Sequence, residues 1–133
     1  MRPELSYLIS AVGLYLVMIV VQALAATISG KASVSELVGA RDNLAPGGIS
    51  VFHGRAKRAQ ANMTEGMVMF VPLVLVAVHM GELSATTAAG AAIFFYARLA
   101  FAPLYYFGVP WLRTLAWAAS ILGILMLFWE ILV

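Results

Sequence analysis

The chain has 133 residues, of which 63% are hydrophobic and only 11% charged, with a mean hydropathy of +0.96. A soluble domain averages nearer ~25% charged, so these figures exclude an ordinary water-soluble fold and make lipid the relevant solvent. Cysteine is absent, which excludes disulfides, a protein thiolate nucleophile and Cys-based metal sites; the net charge of +2 is too small and too clustered to indicate nucleic acid.

Met1 to Glu4 is a short polar start. Leu5 to Ile28 follows as a 24-residue apolar run broken only by serines, Gln22 and Thr27. About 20 residues cross ~30 Å of hydrocarbon, so this run predicts a first transmembrane helix, about residues 5–28. Ala23-Leu24-Ala25 imitates a signal-peptide cleavage site. Against that reading, the single Arg2 is offset by Glu4 and the apolar run exceeds the usual h-region.

Ser29 to Ser50 is the one extended polar connection, carrying Lys31, Glu36, Arg41 and Asp42 and ending in Pro46-Gly47-Gly48. This punctuation announces a second helix, about residues 52–81. Pro72 inside it removes one backbone donor and is expected to kink it and to pack in the bundle interior. Gly81-Glu82-Leu83-Ser84 makes a tight turn with Ser84 as N-cap. The third helix, about 84–107, opens with the small residues Ala88 to Ala92, which let helix backbones approach. Pro103 interrupts its last turns. Gly108 to Pro110 turns into a fourth helix, about 111–133, whose Ala116, Ala119 and Gly123 form a second small-residue face. The expected fold is all-α: a single-domain transmembrane four-helix bundle, up-down-up-down. Arg41, Arg55, Lys57, Arg58 and Arg113 fall on one side with Lys31, and Arg2 alone on the other, so the positive-inside rule predicts both termini outside the cytoplasm.

Arg55, Arg58, Asn62, Glu65 and Met69 are spaced 3, 4, 3 and 4 apart, within an arc of roughly 80° on a helix. They form a polar stripe descending into a membrane, with Lys57 pointing away. Arg98 on the third helix should reach a depth similar to Glu65, and Tyr105 shares its face, so the two helices could combine Arg55, Arg58, Asn62, Glu65, Arg98 and Tyr105 in one site. A plainer reading stands beside this one. Basic residues at a cytoplasmic helix end are what topology requires, Glu65 and Arg98 could be a structural pair, and Asn62 could be inter-helix glue. His79 lacks helically spaced ligand partners other than Glu82, and no metal is expected. Arginines suit carboxylates, Asn donates and accepts, and Glu accepts from an ammonium, so a zwitterion with several carboxylates would satisfy the stripe.

The run Arg58-Ala-Gln-Ala-Asn62-Met-Thr-Glu65 resembles the Arg-Ala-x-x-Asn-x-x-Glu motif of the MAPEG family, membrane-associated proteins in eicosanoid and glutathione metabolism. Tyr96-Ala-Arg98, Ala102-Pro103-Leu104-Tyr105 and Leu112-Arg113-Thr114 resemble its bacterial members. The resemblance implies a homotrimer in a bacterial inner membrane, with glutathione as co-substrate bound between subunits on the cytoplasmic side. It assigns Arg58, Asn62 and Glu65 to the peptide and Arg98 to stabilising the thiolate. Gly66 stands where some relatives carry Tyr. The function implied is glutathione transferase or glutathione-dependent peroxidase activity toward lipophilic electrophiles or lipid hydroperoxides. The alternative is a non-catalytic protein of the same fold holding a lipid headgroup or other anion. A small multidrug exporter also has four short spans, but would need a carboxylate in the first helix where this chain offers Gln22.

Overall fold

The computed structural model describes residues 1–28 and 50–133, together with Ser35, Val38 and Gly39. Lys31, Glu36, Arg41, Asp42 and the Pro46-Gly47-Gly48 turn lie outside the described residues. Among the described residues, four long helices follow in order: α1 Pro3–Ile28, α2 Val51–Met80, α3 Ala85–Tyr106 and α4 Pro110–Leu132. Each is long and apolar enough to cross a membrane. Between them they leave large apolar side chains such as Leu16, Val20, Leu115 and Phe128 exposed, which suits a surface facing hydrocarbon.

Local chemistry sets the helix ends. Ser50 accepts from the His53 backbone N–H at 3.0 Å and starts α2; Gly81, at φ +80°, ends it in the left-handed conformation that glycine adopts freely. Ser84 accepts from the Thr86 and Thr87 N–H groups while the Thr87 hydroxyl accepts from the Ser84 N–H, a reciprocal capping box that starts α3. Pro103 lies within α3 without ending it, and Phe107 N–H still reaches the Pro103 carbonyl at 3.0 Å. Pro110 occupies the first turn of α4, where its missing N–H breaks no helical bond.

The core runs down the bundle axis through Met18 of α1, Met63, Phe70 and Val74 of α2, Ala91, Phe94 and Phe101 of α3, and Leu127 of α4. Phe70 and Phe94 stack with centroids 4.0 Å apart. Helices α3 and α4 form the closest pair. A Cβ on Gly123 would lie 2.6 Å from the Gly90 carbonyl oxygen, so backbone meets backbone at that crossing. The small-residue opening of α3 thus has a partner. Pro72 corrects the expectation of interior packing: it is exposed, because the buried row of α2 runs through Phe70 and Val74 on the opposite face.

Glu4 departs from its reading as part of a polar start. It is only 2% exposed and accepts from the Thr87 hydroxyl at 2.6 Å, tying α1 to the α3 cap. Two further polar contacts join α1 to α2: the Tyr15 and Thr64 hydroxyls at 2.7 Å, and the Gln22 amide with His53 Nε2 at 3.0 Å.

Candidate functional site

Arg98 is the largest fully buried side chain among the described residues, at 1% exposure. Three features box it in. Its guanidinium lies 5.5 Å from the Phe94 ring centroid and 5.3 Å from that of Phe101; its Nη1 donates to Asn62 Oδ1 at 2.5 Å; and it fills the space over Gly66. A Cβ at Gly66 would stand 2.7 Å from Arg98 Nη2. The bare glycine is therefore the clearance that lets a guanidinium lie flat on α2. Arg98 Nε is buried without a partner.

Two residues expected to pair do not bond to each other. Glu65 is exposed, and among the described residues it forms no ion pair with Arg98. The reason is angular. Gly66 lies about 40° to one side of Asn62 on the helix and Glu65 about 60° to the other, so a side chain settling over Gly66 touches Asn62 and leaves Glu65 on the outer face.

The rest of the stripe divides in the same way. Arg55 is half-buried; its Nη1 donates to the Tyr106 carbonyl at 3.4 Å, and its guanidinium lies against Gly108, whose φ is +72°. It satisfies the end of α3 and faces the turn into α4. Arg58 is exposed and makes no side-chain hydrogen bond or ion pair among the described residues. Asn62, half-buried, is the hinge point of the stripe, with one face toward Arg98 and the other toward open space.

That space is a cavity of about 170 Å³ lined by Asn62, Phe101, Tyr105, Arg113, Thr114 and Trp117. Tyr105 is half-buried with its ring against Phe101, and the Arg113 guanidinium sits over that ring, 4.5 Å from the centroid. Asn, Tyr, Arg and Thr all bring donors, and among the described residues no carboxylate lines the cavity. Ligand pockets usually run from ~300 Å³, so this one accepts one end of a larger molecule. Asn62 and Tyr105 are thus brought together as expected, while Arg113 is the site residue that spacing missed. By sequence alone it belongs with the topology-setting cations. The available signal was the short turn at Gly108 and Val109, which brings the first turn of α4 back beside Tyr105. Along the outer face of α2 runs a second, larger hollow of about 510 Å³, lined by Ala61, Thr64, Glu65, Val68 and Met69. Below Glu65 its walls are apolar.

The sequence model of the MAPEG family matches residues 7–133. Comparisons with curated proteins and with solved structures return no match.

Proposed function

Starting from the chain's membership of the MAPEG family, we propose that this integral, multi-pass membrane protein is a glutathione transferase or glutathione-dependent peroxidase acting on lipophilic electrophiles or lipid hydroperoxides. The observation that carries this reading is the cavity between Asn62, Tyr105 and Arg113, which is lined by donors and by no carboxylate among the described residues, with the exposed Arg58 and Glu65 about one turn to either side of Asn62 on α2. Its chemistry fits one end of a small peptide with carboxylates and an amine.

Each residue then has a role. Arg58 holds a carboxylate bidentately, Asn62 donates from its amide, and Glu65 accepts the ammonium. Glutathione supplies the thiol that the cysteine-free chain lacks. Arg113 faces the cavity, whereas Arg98 is sealed beneath Asn62, so the thiolate-stabilising role expected of Arg98 passes to Arg113. A guanidinium within a few ångströms of sulfur favours thiolate over thiol. The apolar hollow below Glu65 offers a lateral path for a lipophilic partner from the bilayer. The cavity's small size suits a site completed by a neighbouring subunit, as in a homotrimer. The distribution of Lys and Arg supports an orientation with both termini outside the cytoplasm, and the likeness to bacterial members a place in a bacterial inner membrane.

Isothermal titration of the detergent-purified protein with glutathione tests the proposal. Wild type should bind, and Arg58→Ala and Arg113→Ala should each weaken binding at least tenfold; a wild type that gives no binding heat in detergent or in lipid nanodiscs would overturn it. The same donors would also hold a lipid headgroup without catalysis, an option favoured by the openness of Arg58 to its surroundings. Conjugation of a chromogenic electrophile separates the two.

A further inference from the structure

The contact between Arg98 and Asn62 has a directional consequence. An Asn side chain carries an acceptor oxygen on one side and an NH₂ donor on the other. With Oδ1 held by Arg98 Nη1, the NH₂ is turned away from the buried guanidinium, and Asn62 also lines the cavity shared with Tyr105 and Arg113. Among the described residues, Asn62 Nδ2 has no hydrogen-bond partner.

We propose that Arg98 is a positioning residue: it locks the Asn62 amide so that two N–H donors, and no acceptor, are presented to the anionic end of the ligand. The inference rests on the glutathione reading for the identity of that ligand, though not for the locked amide itself. Freed from Arg98, the amide would rotate, and half of its orientations would put a carbonyl oxygen against a carboxylate. Arg98 is itself held by its surroundings. Phe94 and Phe101 face its guanidinium, Gly66 leaves room for it, and burial withholds water, so Asn62 Oδ1 is the one acceptor it reaches among the described residues. The charge thus acts at second hand, through the orientation of a neutral side chain. Gly66 is needed by the same logic, since the methyl of Ala would stand 2.7 Å from Arg98 Nη2 and force it to shift.

Asn62→Asp provides the decisive variant. A carboxylate keeps the bond from Arg98, so the bundle should keep its melting temperature, but the NH₂ is replaced by a second acceptor facing the ligand. Glutathione affinity should fall at least tenfold in titration calorimetry. A purely structural Arg98–Asn62 contact predicts unchanged affinity, and that result would overturn the proposal. Arg98→Met and Asn62→Ala should each weaken glutathione binding about tenfold, and the double variant should be no more than about twofold worse than the weaker single, as for two residues acting through one contact. Additive losses would count against it.

A second readout needs no glutathione. The chain has two asparagines, Asn43 and Asn62, so protein labelled with ¹⁵N-Asn shows two side-chain NH₂ signals, with Asn43→Ser assigning them. In ligand-free protein the Asn62 signal should move, and its two protons should exchange faster, in Arg98→Lys but not in Lys57→Ala. An Asn62 signal indifferent to Arg98 would overturn the locked amide even if glutathione binds. Failure of wild type to bind glutathione, with the amide signal still responding to Arg98, would instead remove the functional reading alone.

Discussion

Arg98 and Glu4 make an instructive pair. Both are charged residues almost wholly buried in the bundle, and among the described residues each hydrogen-bonds to one neutral side chain, Asn62 for Arg98 and Thr87 for Glu4. Their settings differ. Glu4 bonds to a hydroxyl that already belongs to the capping box of α3, so its contact reinforces a helix end. Arg98 bonds to an amide whose other side opens on a cavity with Tyr105 and Arg113. Burial of a charge therefore does not by itself mark a site. What distinguishes the two is what the neutral partner has left over: Thr87 spends its hydroxyl within the fold, and Asn62 keeps two donors for something else.

Removing each partner in turn should separate these roles. The largest effect is expected from Asn62→Leu, which strands the Arg98 charge in an apolar box and should destabilise the protein by about 3 kcal/mol, read from denaturant unfolding in detergent. Gly66→Ala should follow at about 2 kcal/mol, because the added methyl displaces a guanidinium already held between two rings, and it should also weaken glutathione binding severalfold. Thr87→Val removes the Glu4 contact and half of the capping box, and should lower stability by about 1–2 kcal/mol while leaving the glutathione dissociation constant within twofold of wild type. A larger shift in affinity would mean that the two ends of the bundle are coupled. The smallest effect is expected from Gly108→Ala, at about 1 kcal/mol for a non-glycine residue at φ +72° with Arg55 pressed against it, measured as a lowered melting temperature.

Much of the architecture was legible from residue types. Apolar runs marked the spans, Ser84 announced the α3 cap, and the small residues around Ala88 to Ala92 and at Gly123 marked the faces where helices close up. The site was legible only in part, for a geometric reason. Spacing along one helix tells the depth and direction of a side chain on that helix, but not the side from which a neighbour approaches. Glu65 and Arg98 were therefore expected to meet because their depths agree, whereas Gly66 draws Arg98 to the other flank. The same limit applied to Pro72, whose direction was unknown until the buried row of α2 was seen. Arg113 was read by its place in the topology, although the turn before it returns its side chain to Tyr105. Glu4 was read by its place near the start of the chain, although its partner is 83 residues away.

The crossing at Gly90 and Gly123 bears on motion. With carbonyl against Cα, one helix cannot slide past the other without backbone collision, so α3 and α4 are geared together like teeth in a rack. Tyr105 and Arg113 come from the two helices joined at that crossing, whereas Asn62 is carried by α2 and stands outside it.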